Sequence, residues 1–292
     1  MSQGKRDSRE QARALMAAQR RAEARRKNMI IAGTAVFAVL LIVGVLAAVA
    51  LTRKPATNAS ATTTPASVSV VDKVTGVPAA TLDAIGKGKV SGLPTPTTGQ
   101  SVLKVDGKPL VFYMGAEYCP YCAAERWSMI IALSRFGTFS NLGQTFSSST
   151  DVDPSTPTFS FHGATYTSKY LTFQAKELQS NVQTGSGQYA TLDTLTPAQE
   201  ALVKQFNPGG SYPFVDFANQ SMITGASYDP GILAGMSQEQ VAAALSDPSS
   251  KIAQAIGGTA NAITAQLCKL TNGQPANVCM SKAVAAYGTT NG

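Results

Sequence analysis

The sequence has few histidines, cysteines and charged residues, and each shortage excludes a class of protein. With one histidine among 292 residues, most histidine-based schemes of catalysis are excluded, and neither a phosphate loop nor a nucleotide-binding fingerprint occurs. Four cysteines are too sparse for a small disulfide-dense scaffold. Because 44% of the residues are hydrophobic, a fully disordered chain is also excluded, and the length suffices for a packed core.

The formal net charge of +7 is concentrated at the N-terminus. Residues 1–28 carry nine basic and three acidic side chains, whereas residues 55–292 carry 13 basic and 14 acidic ones. Binding to phosphate groups requires a basic face, so we expect no nucleic-acid partner for the main domain. Residues 1–28 are predicted to be a basic cytoplasmic tail.

Residues 29–51 form a run of 23 residues without a charged side chain. A helix of that length measures about 34 Å, enough to cross a hydrocarbon core of about 30 Å. Because basic residues remain on the cytoplasmic side, the sequence predicts a signal-anchor in the cell membrane, with a cytoplasmic N-terminus and an extracytoplasmic C-terminal domain. The alternative is a signal peptide cleaved after Ala50, since Ala48-Val49-Ala50 fits a cleavage site.

Residues 52–75 are rich in Thr, Ala, Ser and Pro and are predicted to be a flexible linker. The exported domain is expected to span 76–292, beginning with an extended lead-in over 76–100. Hydrophobic spacing and turn residues within this domain predict several further elements. They are strands over 142–148, 171–175, 214–217 and 221–224, a hairpin over 159–166 that turns at His162-Gly163, and helices over 196–206, 238–245 and 252–270.

The strongest functional signal is the Cys-Pro-Tyr-Cys motif at 119–122, which follows a short loop and the apolar run 110–114. The run predicts a buried strand, and Pro120 is tolerated in the first turn of a helix that begins at Cys119. A thiol at a helix N-terminus faces unpaired N–H groups, which favour the nucleophilic thiolate. We therefore expect Cys119 to be the nucleophile and Cys122 to resolve the mixed disulfide.

A zinc site is the competing interpretation of this motif. It would need two further ligands, and neither His162 nor the separated Cys268 and Cys279 provide the usual spacing. The sequence therefore predicts no metal, and His162 is interpreted as a surface residue of a turn. Thiol–disulfide exchange needs no dissociable cofactor, but it requires thiols or disulfides of exported proteins as partners and an external redox partner that resets the pair.

The run from Gly115 to Trp127, followed by Ala132-Leu133-Ser134-Arg135-Phe136-Gly137, resembles the DUF929 family and, through the motif at 119–122, the thioredoxin-like superfamily. The resemblance covers most of residues 105–282. It implies an α/β thioredoxin-like domain with an insertion between the helix that carries the motif and a later strand preceded by a cis-proline.

Several roles for single residues follow from this resemblance. Pro213 is the candidate cis-proline that would shape the site beside the sulfurs. The walls of the substrate groove would be formed by Tyr118, Pro120, Tyr121 and Tyr212. Glu125 is a candidate proton relay, although most glutamates on helices are simply solvated.

Cys268 and Cys279 can persist as a structural disulfide outside the cytoplasm. The alternative is a relay that exchanges electrons with the pair at 119–122. For the whole protein we expect a membrane-anchored thiol–disulfide oxidoreductase that acts on exported proteins. The alternative is a non-catalytic binding or scaffold domain of the cell envelope, in which Cys119 and Cys122 form a static bridge.

Overall fold

A computed structural model describes residues 63–184 and 187–288, which form a mixed α/β fold. The predicted tail over 1–28, the predicted membrane span over 29–51 and the first part of the predicted linker lie outside the described residues. Within the two described stretches, none of the helices combines the length and the apolar character that crossing a bilayer would require.

The elements of the described residues follow one another along the chain with short connections. The strands are β1 (Thr64–Pro65), β2 (Thr95–Pro96), β3 (Lys104–Val105), β4 (Lys108–Gly115), β5 (Gly137–Ser140), β6 (Gly143–Phe146), β7 (Pro157–Ser160), β8 (Thr165–Ser168), β9 (Thr172–Glu177), β10 (Gln179–Gln183), β11 (Tyr189–Thr191), β12 (Phe214–Phe217) and β13 (Ser221–Thr224). The helices are α1 (Val68–Thr75), α2 (Ala79–Ile85), α3 (Pro120–Ser134), α4 (Pro197–Phe206), α5 (Gln238–Ala244), α6 (Lys251–Leu270), α7 (Ala276–Cys279) and α8 (Lys282–Ala285), with a 3-10 turn at Pro230–Leu233.

Strand β4 is the centre of the main sheet because both of its edges are paired. Strand β9 runs parallel to it, with Leu110 opposite Thr172, and β12 runs antiparallel on the other side, with Met114 opposite Phe214. The sheet continues from β12 to β13 and β2, and β3 pairs with the start of β4. A strand covered on both faces favours a continuous apolar run, which explains the segment from 110 to 114.

The two faces of β4 contribute to different parts of the core. Val111 and Tyr113 belong to the larger cluster, which also contains residues of α3 and α6. Leu110 and Phe112 point to the opposite face and pack with Leu202 of α4. Alternation along one strand thus places helices on both sides of the sheet.

Helix α3 is buried on nearly every side. From Pro120 to Leu133 only Tyr121 is exposed. Helix α6 packs against it, and the Ser128 hydroxyl donates a hydrogen bond of 2.9 Å to the carbonyl of Ile256. Trp127 Nε1 donates to the carbonyl of Pro157, also at 2.9 Å, and so joins the helix to β7.

The prediction of a linker up to residue 75 and an extended lead-in after it is wrong for residues 68–85. This segment folds into α1 and α2. Val70 and Val74 lie one turn apart on the same face of α1, and both are buried in the main core. Burial of these two side chains stabilises a helix that the Thr- and Ser-rich composition of the region concealed.

The predicted hairpin over 159–166 is also wrong in its pairing. The turn at His162-Gly163 is present, but β7 pairs with β6 and β8 pairs with β5. The other strands and helices predicted after residue 140 are confirmed to within a few residues. Helix α4 begins as expected, with the Thr196 hydroxyl accepting from the backbone N–H of Gln199.

Candidate functional site

Cys119 occupies the N-cap of α3, as the sequence predicted. Its backbone is extended, with φ of −76° and ψ of 121°, and Pro120 follows as the first helical residue. The sulfur of Cys119 accepts a hydrogen bond from the backbone N–H of Cys122 at 3.3 Å. One of the unpaired N–H groups at the helix start is therefore satisfied by the thiol, which favours the thiolate form.

The two thiols are free and have opposite acid–base properties. The hydrogen bond from the Cys122 side chain is the main reason why the pKa of Cys119 lies below its usual value, and burial opposes it. Burial raises the pKa of Cys122 well above the usual range, and its hydrogen bond to Cys119 adds to this rise. Cys119 keeps 6% of its surface exposed, whereas Cys122 keeps none. Cys119 is thus the acidic, outer thiol and Cys122 the protonated, inner one.

A buried ion pair lies behind the thiols. The Arg126 guanidinium donates to both oxygens of Glu177, from Nε to Oε1 and from Nη2 to Oε2, each at 2.7 Å. Nη2 also donates to the carbonyl of Ala116 at 2.7 Å, so Arg126 holds the loop that leads to Cys119. The positive charge of Arg126 lowers the pKa of both thiols, although it is a smaller influence than the hydrogen bond at Cys119 or burial at Cys122.

Glu125 and Glu117 are buried rather than solvated. The two oxygens of Glu125 accept from the backbone N–H of Ser227 at 2.9 Å and from its hydroxyl at 3.2 Å. Burial raises the pKa of Glu125 to about 7, against the opposing effect of these hydrogen bonds. Glu117 Oε1 accepts from the hydroxyls of Thr63 and Ser160 at 2.7 and 2.6 Å. The expectation that a glutamate on this helix is solvated is therefore wrong for Glu125. The role of Glu125 as a proton relay stays a prediction.

Three of the tyrosines predicted to form a substrate groove lie around the motif. Tyr118 and Tyr212 are partly buried and pack against the cluster of Ala116, Cys119 and Cys122. Tyr121 is 43% exposed at the first turn of α3. These positions agree with a groove, but whether a substrate lies in it stays a prediction.

The peptide bond between Tyr212 and Pro213 is cis, as the resemblance implied. The register of β12 against β4 places Phe214 opposite Met114. Pro213 therefore lies at the carboxyl end of β4, where the loop to Cys119 begins.

The segment between α3 and β12 supplies a wall of the site that the sequence did not reveal. The Tyr118 ring stacks on Tyr189 of β11, with ring centroids 4.2 Å apart and an interplanar angle of 6°. The Tyr189 hydroxyl donates to Ser148 Oγ at 2.6 Å, and the N–H of Ser148 donates to the Tyr118 carbonyl at 2.8 Å. The backbone of Glu117 also bonds to β10, through the carbonyl of Gln179. No local pattern in the sequence links positions 118 and 189, which lie 71 residues apart.

Cys268 and Cys279 form a disulfide, with Cα atoms 5.5 Å apart. Both residues belong to the main core, whereas Cys119 and Cys122 belong to a separate cluster. This placement agrees with the structural interpretation of the second pair. The alternative, an electron relay between the pairs, stays a prediction.

Among residues 63–184 and 187–288, no group of three or more His, Cys, Asp or Glu side chains is arranged to hold a metal ion. His162 is a surface residue, and its Nδ1 lies 2.9 Å from Asp193 Oδ1.

Comparison with protein families places the chain in a family. The model of the family described as domain of unknown function (DUF929) matches residues 99–269, more than half of the chain, so the chain belongs to this family. The matched region includes Cys119, Cys122 and Pro213 and ends just after Cys268. Two further comparisons, one with the curated proteins and one with the solved structures, found no match.

Proposed function

We propose that this DUF929 chain is a membrane-anchored, extracytoplasmic thiol–disulfide oxidoreductase with a thioredoxin-like fold. The observation that carries the proposal is the asymmetry of the two thiols. An outer thiol with a lowered pKa is suited to attack a client, and an inner thiol with a raised pKa stays protonated until it is needed.

The topology supports the thioredoxin-like part of the proposal. A Cys-x-x-Cys motif at the start of a helix, next to a parallel β–α–β unit, is typical of that superfamily. Here β4, α3 and the parallel strand β9 form such a unit. The antiparallel strand β12, which follows the cis-proline, pairs with the other edge of β4.

The exchange itself would proceed in two balanced steps. The Cys119 thiolate attacks a client disulfide, which forms a Cys119–client bond and releases the other client sulfur as a thiolate that takes up a proton. Cys122 then gives up its proton and attacks Cys119 Sγ, and the bond to the client breaks. The client has gained two electrons and two protons, the protein holds a disulfide, and an external redox partner returns it to the dithiol. The same steps in reverse oxidise a client.

The proposed location depends on the sequence rather than on the described residues. The uncharged run 29–51 and the basic residues before it support a single-pass anchor with a cytoplasmic N-terminus. The disulfide between Cys268 and Cys279 agrees with a compartment that favours oxidation.

The test is a trapping experiment in the native envelope with Cys122→Ala. Without the resolving thiol, we expect covalent adducts of exported proteins to accumulate on Cys119 and to disappear on reduction. The matched control is Cys119→Ala/Cys122→Ala, which should give none. If the single variant forms no adducts while its Cys119 still reacts with a small alkylating reagent, the exchange function is wrong and a non-catalytic scaffold is favoured.

A further inference from the structure

Tyr113 carries a buried hydroxyl without a hydrogen-bond partner. The residue lies in the middle of β4, its side chain has no exposed surface, and its Oη neither donates nor accepts a bond within the described part of the chain. Nearly all buried polar groups in proteins are paired, since an unpaired one is unfavourable. This unpaired hydroxyl therefore needs an explanation.

The hydroxyl shares a small space with the sulfur of Cys122. A Cβ atom built on Gly115 would lie 2.2 Å from Tyr113 Oη and 2.9 Å from Cys122 Sγ. Both atoms therefore crowd against Gly115, the last residue of β4, which has no side chain. Gly115 is required here because any larger residue would collide with both groups.

Packing holds the ring of Tyr113 in this position. The ring contacts Phe161 edge to face, with centroids 5.0 Å apart, and the Arg126 guanidinium carbon lies 5.9 Å from the ring centroid. Burial raises the pKa of Tyr113 well above 10, so the hydroxyl keeps its proton and can act only as a hydrogen-bond donor when an anion forms beside it.

We infer that the Tyr113 hydroxyl donates a hydrogen bond to the Cys122 thiolate as this sulfur attacks the mixed disulfide. The inference rests on the proposed exchange function and adds a catalytic residue to it. In the dithiol state the protonated Cys122 donates to Cys119 and is itself only a weak acceptor, so Tyr113 has no strong acceptor beside it. When Cys119 is bonded to a client, Cys122 loses its proton, which the departing client sulfur takes up. The buried anion then needs a donor, and Tyr113 keeps its own proton throughout.

The test uses the full-length reduced chain and an aromatic disulfide reagent whose released thiolate absorbs visible light. Attack by Cys119 releases the first reporter thiolate, and attack by Cys122 on the resulting mixed disulfide releases the second. In Tyr113→Phe, we expect the first phase to keep its rate and the second to slow about tenfold, the size of effect expected for a hydrogen bond to an anion. Tyr166→Phe is the matched control. It removes a hydroxyl that donates to the Leu133 carbonyl at 2.8 Å, and it should change neither phase.

The stability of the variants separates a role in the reaction from a structural one. Because the Tyr113 hydroxyl has no partner, Tyr113→Phe should unfold in urea at the same denaturant concentration as the parent or higher, whereas Tyr166→Phe should unfold at a lower one. As a second readout, ionisation of Cys122 in a Cys119→Ser background should move to higher pH when Tyr113→Phe is added.

The failures are distinguishable. An unchanged second phase in a folded Tyr113→Phe chain, or an unchanged ionisation of Cys122, overturns the role of Tyr113 and leaves the exchange function intact. If the parent chain releases no second reporter thiolate, Cys122 does not resolve mixed disulfides, and the proposed function fails together with the inference.

Discussion

Arg126 and Glu177 form a two-point ion pair in which neither side chain reaches solvent. Arg126 comes from the helix that carries the thiols and Glu177 from the last residue of the parallel strand β9. The pair therefore joins α3 to the central sheet directly behind the site, while Arg126 also holds the carbonyl of Ala116.

Breaking this ion pair should destabilise the protein strongly. Glu177→Gln leaves the Arg126 charge buried without a counter-charge, a change that typically lowers the free energy of unfolding by about 3–5 kcal/mol. Arg126→Met/Glu177→Met removes both charges and should restore part of the loss. Urea unfolding measures the free energy of unfolding of both variants relative to the parent. If both variants lose the same free energy of unfolding, the pair contributes through its packing and not through charge compensation.

Alkylation should identify Cys119 as the acidic thiol. In the folded dithiol protein, we expect iodoacetamide to modify Cys119 with a pH midpoint below about 8.5, the value of an ordinary cysteine. Cys122 should remain unmodified because it is buried and its pKa is raised. Mass spectrometry of quenched samples from pH 5 to 10 measures both positions. A Cys119 midpoint at or above 8.5 would contradict the electrostatic asymmetry on which the proposed function rests.

Glu125 should make stability depend on pH in a defined direction. Its folded-state pKa of about 7 exceeds its ordinary value of 4.5, so the folded chain binds the proton more tightly. The free energy of unfolding should therefore fall as the pH rises from about 4.5 through 7, and the contribution of Glu125 should level off at higher pH. Glu125→Gln removes the titration and should stabilise the protein at pH 8, on the order of 3 kcal/mol relative to the parent, with little gain at pH 4.5.

Urea unfolding of parent and variant at both pH values measures the difference. Glu239→Gln, the same change at an exposed position of α5, is the control and should unfold at nearly the same urea concentration as the parent. A stability difference between Glu125→Gln and the parent that does not vary with pH would contradict the burial of an ionisable carboxyl at this position.

The second cysteine pair should contribute stability and nothing to exchange. Cys268→Ala/Cys279→Ala opens a loop that joins residues 11 apart, and the entropy model assigns about 3 kcal/mol to such a closure. The two-phase reaction of Cys119 and Cys122 should keep its rates in the folded variant. If instead the recovery of the dithiol by a redox partner is lost, the relay interpretation of Cys268 and Cys279 is favoured.

The parts of the fold that the sequence revealed are those with strong local signals. The apolar run 110–114, Pro120 after Cys119, and the Thr196 cap each act within a few residues, and the structure places an element at each. The pairing of Cys268 with Cys279 could be predicted for another reason. The sequence has four cysteines, and two of them belong to the motif at 119–122.

The parts that the sequence did not reveal depend on contacts between distant positions. Val70 and Val74 lie on one face of α1, and this helix is stable because α3 and α5 cover that face. The composition of the segment alone favoured a linker. Strand β7 pairs with β6, and β8 pairs with β5. Hydrophobic spacing along the chain does not encode which strands pair with each other. At the site, the ion pair of Arg126 with Glu177 spans 51 residues. The signal that the sequence does offer for a buried partner is the charged pair Glu125-Arg126 within a mostly apolar helix.

The burial of α3 bears on how this scaffold could be diversified in the laboratory. In a saturation library over positions 120–133, most substitutions alter a close-packed interior and should destabilise the fold. Tyr121 is the exception, since its side chain projects outward between the two cysteines. Selection for altered redox behaviour would therefore recover most of its surviving variants at this one codon.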